Sequence, residues 1–283
     1  MIKPPKPSPG PKSKRLPERK RMTIVAGFSC ADGIMLCADT EETISDTNKS
    51  STEKLQTVTA GNVNILLGGA GSGDLIDFVS SQIFADFASN DYMWEQIPTV
   101  LNAHAKRVFN EHIRPYRGFP PNWIPELNFL IAIQSMNRCR LFKWTNNFVS
   151  LVSQYRHDSI GIGTVQSRVM MNEMQFSVPS EQMVFYATRL MQKVKSQVVG
   201  CGGKTDIMVL KNDGMRHLFS TEFIERMEKF AIDLDQYFLT GLDIHITAPP
   251  GTAAKEIEFV LKDSVNLLKQ FRNRYVELWA EPT

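Results

Sequence analysis

Two blocks of paired strand patterns, each followed by two helical patterns, constrain this chain more than any other feature of its sequence. "TIVAGFS" (23–29) is β-branched and apolar, Asp32-Gly33 is a hairpin-type turn, and "IMLCAD" (34–39) reads as the returning strand. After a polar loop (40–53), "LQTVTA" (55–60) and "VNILLGGAG" (63–71) form a second hairpin across Gly61-Asn62. Glycines 68, 69, 71 and 73 close it, and a helix is expected over 74–89, with Leu75, Phe78, Val79, Ile83 and Phe87 on its apolar face. A second helix is expected over 98–116, stopped near Pro115.

The pattern then repeats. Strands are expected at 126–135, 140–146 and 148–154, with turns at Met136–Arg138 and Asn146-Asn147. "SIGIGT" (159–164) leads into a third helix, and 180–197 reads as a fourth with Ser180 as its N-cap. "GCGGKTDIMVLKNDG" (200–214) is a loop, strand and turn, followed by a helix-rich stretch in which 256–279 reads as an amphipathic helix. No period of 20–50 residues marks a solenoid. Antiparallel strand pairs alternating with helix pairs predict an α+β fold, a four-layer αββα sandwich that buries both faces of each sheet. A chain of 283 residues, 42% hydrophobic, is long enough for such a core.

Charge divides the chain unevenly. Residues 1–21 carry eight Lys/Arg against Glu18 alone, six of the fifteen prolines and no aromatic residue, so they are expected to be a disordered tail or sequence upstream of the true start. With the whole chain at a net +2, residues 22–283 are left at a net −5, which argues against nucleic acid as a partner of the body. No apolar run reaches the roughly 18 residues that span a bilayer, and no h-region marks a signal peptide, so no membrane partner is expected. Cys30, Cys37, Cys139 and Cys201 lack CxxC spacing and read as reduced thiols of a cytoplasmic protein, with neither metal nor cofactor expected.

"TIVAGFSCADGIMLCAD", "STEKLQTV", "LLGGAGSGDLIDF" and "SIGIGT…GCGGKTDIMVL", in that order, resemble a proteasome-type subunit of the N-terminal-nucleophile (Ntn) hydrolase superfamily. The resemblance is nearest to catalytic β-type subunits and their simpler bacterial relatives. It covers roughly 23–215, so the domain is drawn as 22–215, with 216–283 a helix-rich C-terminal extension packed on it. It implies a threonine-type peptidase that cleaves polypeptides, assembles into a ring or other multi-subunit complex, and has an unfoldase ATPase as a candidate partner. In such enzymes the threonine hydroxyl attacks, and the threonine's own free α-amine, with a pKa of about 8, serves as general base.

By this resemblance Thr23 is the nucleophile. Gly33 stands ten positions beyond it and Asp39 sixteen, which matches the family's turn glycine and strand aspartate. Lys54 takes the place of the family's lysine, one position short of the usual spacing, with Lys49 as rival. Ala70 and Gly71 fall where a backbone N–H forms the oxyanion hole. Three positions depart from the pattern: Ile162 and Cys201 replace serines, and Val198 replaces an acidic residue, with Asp206 nearby as a strand-start aspartate.

A free amine on Thr23 requires the loss of Met22 and all that precedes it. Methionine before a small residue suits removal by methionine aminopeptidase after a start at Met22, whereas self-cleavage in this family usually follows glycine. The alternatives are a non-catalytic proteasome-like structural subunit that keeps its first 21 residues, and an Ntn amidase acting on a small amide. His104, His112 and the group Asp233, Asp235 and His245 are expected to be structural.

Overall fold

The computed structural model describes residues 20–21, 23–43, 49–116, 126–153, 156–174, 177–247 and most positions of 258–269. The remainder of the basic tail and of the predicted helix over 256–279 lies outside the described residues. The fold is α+β and contains two antiparallel sheets.

The first sheet contains β1 (Lys20–Arg21), β4 (Glu41–Thr43), β5 (Lys49–Ser51), β6 (Leu55–Ala60), β7 (Val63–Ser72), β8 (Leu127–Ser135), β9 (Arg138–Thr145) and β10 (Phe148–Leu151). Its strand order is β10-β9-β8-β7-β1-β4-β5, with β6 also paired to β7. The second sheet runs β11-β2-β3-β12-β13, where β2 is Ile24–Cys30, β3 Gly33–Asp39, β11 His157–Gly161, β12 Thr205–Lys211 and β13 Arg216–Leu218. The helices are α1 (Gly73–Ser89), α2 (Ile97–Val108), α3 (Thr164–Glu173), α4 (Ser180–Gln197) and α5 (Thr221–Thr247).

Three apolar clusters show how these elements pack. Val25, Leu36 and Ala38 of the second sheet meet Leu66, Leu130 and Leu141 of the first. The other face of the first sheet, with Leu67, Phe129 and Trp144, takes Ile76, Val79, Ile83 and Phe87 of α1 and Leu101 of α2. The other face of the second sheet, with Ile24, Phe28 and Met35, takes Val184 and Met191 of α4 and Phe223 and Met227 of α5. Alternate residues of β2 and β3 therefore enter two different cores. That is why both strands read as unbroken apolar runs without a polar face.

Local expectations shift in four places. The α1 stripe is Ile76, Val79, Ser80, Ile83 and Phe87, with Leu75 half-buried against the same cluster; Phe78 lies about 100° round the helix from Val79 and is exposed. The helix predicted to reach 116 is α-helical only to Val108, then continues as one π turn and one 3₁₀ turn to Tyr116. Ser180 is the first residue of α4 and not its cap: its N–H and hydroxyl both donate to the Asp32 carboxylate, at 2.7 Å each. The polar loop over 40–53 contains β4 and β5, each three residues long. Among the described residues, no helix is long and apolar enough to cross a membrane.

Two carboxylates tie helices to one another. Asp86 of α1 holds His104 of α2 at 2.6 Å, and Asp235 of α5 holds Arg189 at 2.8 Å and Lys193 at 2.6 Å, both on α4. Partial burial pushes both carboxyls up. The bonds outweigh it, from His104, Tyr92 and Asn90 at Asp86 and from Lys193 and Arg189 at Asp235, so both lie below the ordinary value of 3.8. A depressed folded-state pKa contributes stability that is present above the unfolded value and is lost as pH falls through the folded one. The contribution of these two carboxylates to the urea midpoint should therefore be flat through neutral pH and fall below about pH 4. Asp235→Asn should lower the neutral midpoint and flatten part of that acid slope; an unchanged slope would show that this contact adds nothing.

Candidate functional site

Thr23 is the residue before β2, and Asp39 ends β3. The two strands pair antiparallel with Val25 opposite Ala38, so the hairpin returns Asp39 to the side of Thr23. Both are fully buried, as is Lys54, which enters from the residue before β6 of the other sheet. The Thr23 hydroxyl donates to Asp39 Oδ1. Lys54 Nζ donates to Thr23 Oγ1 at 2.7 Å, to Asp39 Oδ1 at 2.9 Å, and to the Glu41 carbonyl. The sequence left Lys49 as a rival; it lies in β5 opposite Thr43, while Lys54 carries the ammonium in this cluster.

Backbone donors complete the Asp39 shell. The Ile24 N–H donates to Oδ1 at 3.1 Å, and the Gly202 N–H donates to Oδ2 at 2.9 Å. A buried ion pair with donors on both carboxylate oxygens and three acceptors around the ammonium avoids most of the penalty that an unpaired buried charge would carry. Sequence reasoning missed Gly202 because a backbone N–H leaves no side-chain signature; its only trace was the "GCGG" run.

Gly161, opposite Ile24 across β11 and β2, has a φ of +93°, and a Cβ there would lie 2.0 Å from the Thr23 carbonyl oxygen and 3.4 Å from Ala70 Cβ. Only glycine fits that approach. The contact also places Ala70, from the glycine-rich end of β7, beside Thr23. Gly71 is opposite Arg21 of β1. That short strand lies between β7 and β4, with Lys20 opposite Ser72 on one side and Thr43 on the other. Residues 20–21 thus fill the place of one strand in the first sheet.

Of the departing positions, Val198 follows the last residue of α4 and its carbonyl accepts from the Cys201 N–H at 3.1 Å. Cys201 is buried beside Gly202, and burial, ahead of the nearby Asp39 charge, pushes its thiol up to about 12. It is a neutral thiol at physiological pH. Ile162 is 43% exposed. Asp206 lies within β12 opposite Ala38, and burial with the Glu53 charge raises its carboxyl against the pull of Lys54. His104 is held by Asp86, outside the cluster.

Solved structures with this fold include Anbu proteins. An Anbu (ancestral β-subunit) from Yersinia bercovieri superimposes with a TM-score of 0.63 at 15% identity, over 81% of this chain and 98% of its own. An Anbu mutant from Hyphomicrobium sp. strain MC1 gives 0.63 at 15% identity, over 78% and 99%. The Anbu complex from Pseudomonas aeruginosa, solved as a helical assembly, gives 0.63 at 13% identity, over 81% and 99%. Identity this low shows the fold alone. The likeness corrects the expectation of a catalytic β-type proteasome subunit: the neighbours are Anbu proteins, a distinct proteasome-like family. No family model and no curated protein matches the sequence.

Removing the ammonium from this cluster should leave a buried carboxylate without its counter-charge. Lys54→Met is expected to cost about 3–5 kcal/mol in urea unfolding. Adding Asp39→Asn to Lys54→Met should recover part of that loss; a double variant as unstable as the sum of the singles would show that the two charges are not coupled.

Proposed function

We propose that this chain is a self-assembling proteasome-like subunit whose Thr23 centre is closed while the preceding residues are in place, and which becomes a threonine-type peptidase when Thr23 acquires a free α-amine. The four-layer Ntn arrangement is the architecture this reading assumes, with its two sheets between helix pairs. One observation carries it: the Thr23 hydroxyl lies between Asp39 and Lys54, while residues 20–21 occupy the strand position beside it.

In that closed form Thr23 contributes its nitrogen to a peptide bond, so no amine base is available, and the chain is a structural subunit. Removal of residues 1–22 would free the amine and open a gap between β7 and β4. Neighbouring strands lie about 4.8 Å apart, so the gap has the width of one extended peptide. A polypeptide fits such an opening better than a small amide does, because two facing strand edges offer rows of backbone donors and acceptors.

The chemistry then follows from the cluster. The α-amine takes the Thr23 hydroxyl proton as Oγ1 attacks the scissile carbonyl carbon. The Lys54 ammonium, already on Oγ1, favours the developing alkoxide. The oxyanion of the tetrahedral intermediate is assigned to backbone N–H at Ala70 and Gly71. Its collapse expels the leaving amine with the proton held by the α-amine, and water then hydrolyses the Thr23 ester. Self-assembly is supported by the helical assembly of the Pseudomonas protein.

Expression from Met22 should give a chain whose intact mass begins at Thr23 and which hydrolyses fluorogenic peptidyl amides. Thr23→Ala in that chain should lower the rate on the order of 10³-fold or more without changing its sedimentation. The 283-residue chain should be silent. Hydrolysis that survives Thr23→Ala would place the nucleophile elsewhere. A silent chain with Thr23 at its terminus would leave the structural subunit alone, and a monomer at micromolar concentration would remove that as well.

A further inference from the structure

Helix α5 belongs to the C-terminal part of the chain, for which the proteasome-type resemblance offers no counterpart, yet it reaches the 201–205 segment beside Asp39 through two carboxylates: Glu225, in an exposed pair with Lys204 at 3.7 Å, and the better-buried Glu228. Glu228, one residue after the buried Met227, points toward the 201–205 segment. Its Oε1 accepts from Thr205 Oγ1 and from Lys195 Nζ of α4, each at 2.6 Å. Lys195 Nζ also donates to the Gly203 carbonyl at 3.2 Å. The carboxylate thus grips the 201–205 segment at two points, directly at Thr205 and through Lys195 at Gly203.

That segment wraps the end of β3. Thr205 is opposite Asp39 in the β12–β3 ladder. The Thr40 N–H donates to the Lys204 carbonyl, and the Lys204 N–H donates back to Thr40 Oγ1, at 2.9 Å each. The Glu41 N–H donates to the Gly202 carbonyl at 3.2 Å, and the Gly202 N–H holds Asp39 Oδ2 at 2.9 Å. Gly203 makes the turn with a φ of +71°, a conformation that other residues rarely hold. A glycine-rich turn has little intrinsic preference for one shape, so contacts from outside it must select the shape that aims the Gly202 N–H at Asp39.

We infer that Glu228 is a positioning residue for the Thr23 centre, with α5 fixing the 202–205 turn through Thr205 and Lys195 so that Gly202 holds the Asp39 carboxylate. For turnover this rests on the peptidase reading; for geometry it does not. Glu228 touches neither Thr23 nor the gap beside it, so its effect reaches the centre only through the turn.

The test uses two readouts. In the chain that begins at Thr23, Glu228→Ala and the isosteric Thr205→Val should each lower kcat about 10-fold with KM unchanged. Thr205→Ser, which keeps the hydroxyl, should restore the rate, and the pair Glu228→Ala/Thr205→Val should be no worse than either single. A rise in KM, additive losses or an unrescued serine variant would overturn the inference. In the 283-residue chain, hydrogen exchange at Gly202 and Lys204 should quicken about 10-fold in Glu228→Gln and Thr205→Val while β2 and β3 stay protected. Unchanged exchange there overturns the inference whether or not the trimmed chain hydrolyses anything. Faster exchange in a trimmed chain that remains silent would sustain the positioning role and remove the peptidase reading alone.

Discussion

The Asp39 carboxylate is the point at which the two sheets become chemically dependent on each other. It is fully buried, yet it accepts from a hydroxyl, an ammonium and two backbone N–H groups drawn from three separate segments. An isolated carboxylate at such a depth would be protonated or expelled. These four donors replace the water that burial removes, and each is held where it is by the carboxylate in return. The β2–β3 hairpin, the Lys54 approach from the other sheet and the 202–205 turn therefore share one constraint. Apolar packing alone would permit them to slide.

The part of this centre carried by one hairpin was legible from sequence. A residue-by-residue ladder makes spacing along the chain equivalent to distance in space, so Thr23 and Asp39 had to meet at the open end of β2–β3. Lys54 was legible only by context, because it crosses from the other sheet and no local period reports that register. The strands β4 and β5 were hidden, since three residues are too few for alternation to show. The N-cap preference at Ser180 failed for a related reason: Asp32, 148 residues away in sequence, captures both its N–H and its hydroxyl. The Phe78 error was one of phase, as an aromatic residue one position before Val79 projects about 100° away from the buried stripe.

The structural neighbours and the cluster together separate ancestry of fold from competence of the site. Likeness at 13–15% identity with Anbu proteins speaks for the layered arrangement of strands and helices and for nothing finer. The cluster speaks through its own geometry, which depends on no relative. A buried lysine with its protons on a hydroxyl, a carboxylate and a carbonyl is costly to maintain for packing alone, because an apolar side chain of similar volume would serve the core as well.

No donor or acceptor in the Asp39 shell is the Thr23 nitrogen. The hydroxyl half of the centre is therefore assembled whether that nitrogen is an amide or a free amine. Ile162 is an exposed aliphatic side chain where the resemblance expects a serine that supports the terminal amine, and Cys201, a neutral buried thiol beside Gly202, stands where it expects a second serine. A poorly anchored amine weakens proton abstraction and leaves the nucleophile's position intact. The Asp39 shell thus orients the Thr23 oxygen and makes no contact with the Thr23 nitrogen.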